Sequence, residues 1–273
     1  MSAPEASATP KLDFFVIGVQ KGGTTALATY LRGHPGLQIS RRKEVHFFDE
    51  EMAVDWSAPD YSRLHEQFDW DVPSVLRGEA TPVYIYWPQA LERLHAYNPA
   101  ARLIVLLRHP ALRAYSHWRM SWLREIENLP FDRAITVEGS QRAPEDPDRY
   151  HRHFSYIERG FYSGQVRRLL SLFPANQVHF IRTDQLWASL SATLSGIETY
   201  LGVAPALGRE AELLYILPKM RRRRQVEQDV PPTDTRRYLD ALYHADIAET
   251  ARLTGLDLSD WQSPDYSEPM QPR

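Results

Sequence analysis

The chain has 273 residues, a formal net charge of −3 and no cysteine. The lack of cysteine excludes disulfides, thiolate metal sites and cysteine nucleophiles, and the slightly acidic balance argues against a general nucleic-acid binder. The apolar runs are far shorter than the ~20 residues that span a bilayer, and the first ten residues lack a signal-peptide pattern, so we expect a cytoplasmic protein with no integral membrane segment.

The first predicted elements are a buried strand at 12–18, a glycine-rich loop and a helix at 24–33. Residues 12–18 form an apolar run that is too short for a helix and ends in glycine, which is typical of a buried parallel strand. Apolar residues then recur at helical spacing until the stop signal Gly33-His-Pro35. Strand, glycine-rich loop and helix together are the context of a phosphate-binding loop.

The loop sequence Gly18-Val-Gln-Lys-Gly-Gly-Thr-Thr25 differs from the nucleoside-triphosphate loop in the position of its lysine. The glycines at 18 and 23 have the usual spacing, but Thr24 stands in the lysine position and the lysine precedes the glycine pair as Lys21. Successive backbone amides at the start of a helix can still bind an anion. We therefore predict a phosphate site for a ligand other than magnesium triphosphate, with an ordinary glycine-rich turn as the alternative.

The remaining elements alternate between strands and helices. In chain order we predict strands at 37–40 and 75–78, a buried strand at 101–107, a helix at 111–125, an irregular insertion at 128–155, a helix at 163–173, a strand at 177–182 and a helix at 235–255. This alternation indicates an α/β fold, with a single P-loop-like domain whose central, mostly parallel sheet is flanked by helices.

A basic residue follows the predicted strand at 101–107. Magnesium-dependent phosphate loops usually need an acidic residue at the end of a neighbouring strand, whereas this strand is followed by Arg108. We predict that Arg108 binds a second phosphate and that Ser116, two helical turns further on, shares it. The alternative is that Arg108 only caps the surface.

Four motifs resemble those of sulfotransferases that use 3′-phosphoadenosine 5′-phosphosulfate (PAPS), and they occur along the chain in the order typical of that family. Lys21-Gly-Gly-Thr-Thr25 resembles their 5′-phosphosulfate loop, and Arg108-x-Pro-x-x-Arg-x-x-Ser116 resembles their 3′-phosphate motif. Lys43-Glu-Val-His-Phe-Phe-Asp49 is similar to the catalytic segment of the heparan-sulfate-type branch, and Gly78-Glu-Ala-Thr-Pro-Val-Tyr84 is similar to a segment on the acceptor side. The likeness covers about residues 12–261.

The resemblance implies a soluble bacterial member of this family and a division of the chain. We expect a disordered tail at 1–11, a sulfotransferase domain at 12–262 and a polar tail at 263–273. Within the domain, the insertion at 128–155 would form a loop of the acceptor site.

The resemblance also implies roles for individual residues. Glu44 would be the general base, with an ion-paired loop glutamate as the alternative and His46 as second choice, while Lys21 stabilises the leaving phosphate without a metal. The implied donor-binding residues are Lys21, Gly22, Gly23, Thr24, Thr25, Ala26, Arg108, Ser116, Tyr162, Lys219 and Arg221. The implied acceptor residues are Lys43, Glu79, Thr81 and Tyr84, although a buried Glu79 bonded to backbone amides is equally compatible with the sequence.

The function that follows is transfer of the sulfuryl group of PAPS onto a hydroxyl group, with an amine as the less favoured acceptor. The acceptor would be a small molecule of secondary metabolism, a glycoside or a lipid, with no nucleic-acid partner, and a homodimer stays possible. Two alternatives from other classes remain, a magnesium-dependent small-molecule kinase and a catalytically silent nucleotide-binding scaffold.

Overall fold

The computed structural model describes residues 10–136, 150–206 and 230–269. Its strands are β1 (Phe14–Gly18), β2 (Leu37–Ile39), β3 (Leu76–Ala80), β4 (Arg102–Leu107) and β5 (Val178–Arg182). Its helices are α1 (Thr24–Arg32), α2 (Ser62–His65), α3 (Ala90–Tyr97), α4 (Pro110–Leu123), α5 (Phe131–Thr136), α6 (Tyr162–Leu172), α7 (Thr183–Ala188), α8 (Leu190–Leu201) and α9 (Thr233–Thr254). None of these helices is both long enough and apolar enough to cross a bilayer.

The described strands form one parallel sheet in the order β2-β3-β1-β4-β5. The chain runs from β1 to one side for β2 and β3, then crosses to the other side for β4 and β5, so the direction of winding reverses between β1 and β4. Open parallel sheets bind ligands outside the carboxyl ends of the strands at such a reversal. The β1–α1 loop and Arg108 both lie there, and the predicted α/β fold is confirmed.

Both faces of the sheet are covered, which explains the continuous apolar runs. In β1, Phe15 and Ile17 pack into one core cluster, while Phe14 and Val16 pack into the cluster on the opposite face. Side chains alternate between faces along a strand, so a strand with two buried faces has no polar positions. The sheet therefore holds the ends of β1 and β4 rigidly.

The segment predicted as an irregular insertion contains regular structure. Helix α5 lies within it, and Tyr150–Phe154 form a π-helical turn. Residues 137–149 lie outside the described residues, so the expected acceptor loop stays a prediction. Residues 263–269 of the predicted polar tail are described, and Tyr266 of that segment packs against the domain.

A close contact between β3 and β1 gives a test of the fold. A Cβ atom added to Gly78 would lie 2.2 Å from Cζ of the buried Phe14. Because both strands are fixed by the sheet, we expect Gly78→Ala to lower the free energy of unfolding by about 3 kcal/mol in urea denaturation.

The matched control is Gly164→Ala on the exposed face of α6. A Cβ atom at Gly164 would meet nothing within 4 Å, and alanine favours a helix more than glycine, so this change should stabilise by up to about 1 kcal/mol. Similar effects of the two substitutions would contradict the assigned register of β1 and β3.

Candidate active site

The β1–α1 loop is docked closely on the backbone of β4. The amide of Val19 donates to the carbonyl of Leu106 over 2.8 Å, and the amide of Gly22 donates to the carbonyl of Val19 over 2.8 Å. A Cβ atom on Gly22 would lie 2.7 Å from the Leu106 carbonyl oxygen. Because that separation is shorter than any ordinary contact, residue 22 must be glycine for the loop to lie against β4.

The start of α1 presents backbone amides at the end of this loop. Gly23 has a left-handed φ of 87°, and the Leu27 amide bonds to its carbonyl over 3.1 Å. The amides of the first helical residues, 24–26, have no acceptor within the helix and point with the helix dipole toward the same place. Ala26 is fully buried, whereas Thr25 is exposed and can offer a ligand its hydroxyl as well as its amide.

Lys21 is largely enclosed, and its ammonium group lies among other cations. Its Nζ is 3.8 Å from the sulfur of Met120. Burial, helped by the charges of Arg108 and Arg124, lowers the pKa of Lys21 to about 8, while the charge of Glu44 acts in the opposite direction. Such a lysine is poorly neutralised within the protein, which favours an anionic ligand.

Arg108 joins the end of β4 to the loop after β1. Its Nη1 donates to the carbonyl of Lys21 over 3.2 Å, while its other edge donates to the carboxylate of Glu268. The hydroxyl of the buried Tyr162 donates to the Arg108 carbonyl over 2.7 Å, so Tyr162 supports the backbone of Arg108. Ser116 on α4 is partly exposed. Lys21 and Arg108 therefore lie together as predicted, whereas Lys219 and Arg221 lie outside the described residues.

Glu44 and His46 lie on a loop between β2 and α2 and form a chain of charged contacts. Glu44 pairs with Lys43, and its Oε2 is 3.7 Å from Nε2 of His46. On the far side of the ring, Nδ1 of His46 is 2.8 Å from Oδ2 of the buried Asp49. The His46 ring therefore lies between the carboxylates of Glu44 and Asp49. Arg152 donates to the same Asp49 oxygen over 3.0 Å.

These contacts displace the pKa values of both residues. Burial acts to raise the pKa of Glu44, but the hydrogen bond from His46 and the charge and hydrogen bond of Lys43 lower it to about 2. Burial acts to lower the pKa of His46, but its hydrogen bonds to Asp49 and Glu44 raise it to about 9. At neutral pH the pair is therefore a carboxylate beside an imidazolium.

The three residues predicted to take part in catalysis share an unusual backbone conformation. Lys21, Glu44 and His46 have φ values of 73°, 59° and 55°. Few residues other than glycine adopt positive φ, and such strain persists only where the surroundings hold it, often at functional sites. The loop contacts of these residues must therefore offset a local conformational cost.

The backbone of the Glu44 loop is supported by the predicted acceptor residues on and after β3. Glu79 accepts a hydrogen bond from the Val45 amide over 3.1 Å, and the Tyr84 hydroxyl accepts one from the Phe47 amide over 3.0 Å. The Thr81 hydroxyl bonds to Glu79. All three side chains are fully buried, so they lie beneath the loop and not on an open acceptor surface, as in the alternative considered for Glu79.

Three residues of the site escaped the sequence interpretation. Asp49 stands within a quoted motif, but nothing in its spacing shows that it reaches His46. Arg152 and Glu268 reach Asp49 and Arg108 from 103 and 160 residues away in the chain. Single-sequence patterns carry no signal for such distant contacts.

A parallel α/β domain with an anion-binding loop after β1 and a cation after β4 defines a class of proteins that bind phosphorylated ligands at the switch point. The family model "Sulfotransferase domain" matches residues 11–221. The chain therefore belongs to the sulfotransferase family, as the sequence motifs predicted.

Curated relatives and solved structures agree with this family. The chain is 30% identical over 194 residues to human heparan sulfate glucosamine 3-O-sulfotransferase 6, covering 69% of this chain and 51% of that protein. It is 36% identical over 124 residues to the membrane-associated sulfotransferase kil1 of Dictyostelium discoideum, covering 44% of this chain and 26% of that protein. The chain spans about half the length of the heparan sulfate relatives.

Two solved structures resemble the fold along most of the chain. A sulfotransferase from Alicyclobacillus acidocaldarius has a TM-score of 0.72 and 25% identity, covering 93% of this chain and all of that one. Mouse sulfotransferase SULT7A1, solved in complex with 3′-phosphoadenosine 5′-phosphate (PAP), has a TM-score of 0.55 and 15% identity, covering 90% of this chain and 88% of that one. At that identity, the second likeness concerns the fold alone.

The buried Glu79 generates a prediction about stability and pH. Burial raises the pKa of Glu79 to about 7, although hydrogen bonds from Thr81 and Val45 act against the rise. An unfolded glutamate titrates near 4.5, so the folded protein binds more protons between these two values and stability must fall as pH rises through them. Glu79→Gln should reduce this loss, measured as the unfolding free energy in urea at about pH 5 and about pH 8.

An exposed glutamate provides the control. Glu66 follows α2, and its side chain is exposed, so Glu66→Gln should keep the pH dependence of the wild-type protein. If Glu79→Gln and the wild type lost equal stability over the same pH range, the raised pKa of Glu79 would be wrong.

Proposed function

We propose that the protein is a PAPS-dependent sulfotransferase that transfers a sulfuryl group to a hydroxyl acceptor. The observation that carries the proposal is the position of Lys21. It lies in an anion-binding loop, its carbonyl accepts a hydrogen bond from Arg108, and its ammonium group is within electrostatic reach of Glu44. Lys21 and Arg108 therefore lie together at the carboxyl edge of the sheet, and Glu44 lies on the loop that follows β2.

The residues at this edge fit the two anionic groups of PAPS. The loop after β1 offers the backbone amides at the start of α1, which could bind a 5′-phosphosulfate. Lys21 would reach the bridging oxygen of this group, while Arg108 and Ser116 would bind the 3′-phosphate. PAPS supplies the sulfuryl group together with a phosphate that leaves readily.

The proposed transfer needs one base and one cation. As the acceptor oxygen forms its bond to sulfur, Glu44 accepts the hydroxyl proton. The bond between sulfur and the 5′-phosphate oxygen breaks with its electron pair, leaving PAP. Lys21 stabilises the charge that develops on this oxygen. The products are a sulfate ester, PAP and a protonated Glu44, which returns its proton to solvent.

The resting contacts of Glu44 must change before it acts. A carboxylate with a pKa of about 2 is a weak base at neutral pH. We propose that acceptor binding draws Lys43 away from Glu44, which raises the pKa of the carboxyl group. Lys43 is thus the acceptor residue that this proposal retains, while the charged His46, held by Asp49, keeps Glu44 oriented.

The relatives bear on the class of acceptor. The names of several relatives describe O-sulfation of a glucosamine unit in heparan sulfate, which supports oxygen over nitrogen as the acceptor atom. We propose a glycoside hydroxyl first, with a small metabolite or a lipid hydroxyl as further candidates.

The donor is tested by calorimetric titration of the purified protein with PAP and, separately, with ATP and magnesium. We expect PAP to bind with a dissociation constant of about 1–10 μM, because Lys21 and Arg108 match its two separate phosphates. ATP with magnesium should bind far more weakly, because β4 is followed by a cation where a magnesium site would need an acid. The reverse preference would replace this proposal with the small-molecule kinase.

The same titration, repeated at several pH values, tests the role of Lys21. Because the pKa of Lys21 is about 8, the affinity of wild-type protein for PAP should fall as pH rises above that value. Lys21→Arg should keep its affinity over this range, since a guanidinium stays charged. The exposed Lys11→Arg variant should behave as the wild type.

The role of Glu44 is tested by Glu44→Gln. We expect transfer of labelled sulfate from PAPS to a panel of glycosides, phenols and lipids to fall by about 100-fold or more, while PAP affinity stays within a few-fold. The control is Glu50→Gln, which removes a charge from the same segment away from His46. Unchanged transfer by Glu44→Gln would remove Glu44 from the mechanism.

A further inference from the structure

The segment after α9 returns to the carboxyl edge of the sheet. A 3₁₀ turn at Ser259–Gln262 brings Trp261 to His109, whose Nε2 is 3.0 Å from the Trp261 carbonyl oxygen. The ring of Tyr266 then stacks on His109 with centroids 5.0 Å apart, and its hydroxyl donates to Asp184 over 2.9 Å. Residues 263–269, here called the strap, therefore lie across the ends of β4 and β5.

Near its end, the strap contacts Arg108, the residue proposed to bind the 3′-phosphate of the donor. Nε of Arg108 lies 2.9 and 3.0 Å from the two carboxylate oxygens of Glu268, and Nη2 lies 2.5 Å from Oε2. Only 21% of the Arg108 side chain and 12% of the Glu268 side chain are exposed. This two-point contact between a guanidinium and a carboxylate has the geometry with which arginine also binds a phosphate.

The other edge of the Arg108 guanidinium is already hydrogen-bonded within the protein. Nη1 of Arg108 donates to the carbonyl of Lys21, which ties the arginine to the loop after β1. A phosphate that approached Arg108 would therefore need the edge that Glu268 occupies. The two anions would also repel each other at this short range.

We propose that Glu268 is an internal competitor that holds Arg108 in the nucleotide-free protein and must leave when the donor binds. The inference rests on the proposed function, because it takes Arg108 as the site of the 3′-phosphate. The strap then sets the affinity for donor and product through one ion pair.

The attachments of the strap allow this release without unfolding. The turn at 263–266 has its own hydrogen bonds, from Tyr266 to the Ser263 carbonyl and from Asp265 to the Ser263 hydroxyl, and Tyr266 is anchored on His109 and Asp184. Among the described residues 267–269, the hydrogen bonds are those of the Glu268 carboxylate with Arg108. Glu268 can therefore move away while Tyr266 stays in place.

The test compares Glu268→Gln with the wild type by calorimetric titration with PAP. Glutamine keeps the size of the side chain but removes its charge, so we expect the variant to bind PAP about tenfold more tightly. Asp265→Asn is the matched control, because it removes one charge from an exposed position of the same strap and should leave the affinity unchanged. Equal or weaker binding by Glu268→Gln would overturn the inference.

Backbone NMR order parameters give a second readout on the wild-type protein. Saturation with PAP should lower the order parameters of Ser267 and Glu268, because the strap end is released, while those of β4 stay high. Higher order parameters at Ser267 and Glu268 would mean that the strap closes on the ligand, which overturns the inference. If neither the wild type nor Glu268→Gln binds PAP, the donor assignment itself fails and the competitor role fails with it.

Discussion

The site depends on the close contact between the β1–α1 loop and the backbone of β4. The Val19 amide bonds to the Leu106 carbonyl, and Gly22 leaves no room for a Cβ atom beside that same carbonyl oxygen. The contact is made at Leu106, two residues before Arg108 in β4 and its extension. It brings the loop close enough for the Arg108 guanidinium to bond to the carbonyl of Lys21. The anion-binding amides and both cations are thus placed by one backbone approach at the switch point of the sheet.

The second half of the site is supported from below by buried polar groups. Amides at 45 and 47 bond to the side chains of Glu79 and Tyr84. A loop of this kind would otherwise leave buried backbone groups without partners, which costs stability. Because these bonds fix the backbone around Glu44, the carboxylate can keep its place although its own φ is positive. The side chains that support this loop thus belong to β3 and the segment after it, whereas Glu44 itself lies on the loop after β2.

Much of the fold was predictable from local patterns, whereas the contacts of the site were not. The first and fourth strands and α1 were predicted within two residues, because their signals are local. The two strands are continuous apolar runs, and α1 has a glycine at each end. The helix within the expected insertion was missed, because the segment 128–150 as a whole is rich in charge and proline. The motifs indicated Lys21 and Arg108 correctly as neighbours, but they could not show that Glu79 lies beneath the Glu44 loop or that Glu268 bonds to Arg108.

The contacts of Arg182 and His109 also bear on the order in which the domain is completed during synthesis. Arg182 ends β5 and bonds to Asp257 and Asp260, while His109 bonds to the Trp261 carbonyl. The five strands among the described residues leave the ribosome long before these partners do. A nascent chain can therefore assemble its sheet and its β1 loop while the edge at β4 and β5 is still open. The last described segment then closes that edge, so the edge with Lys21 and Arg108 forms before the segment that covers it.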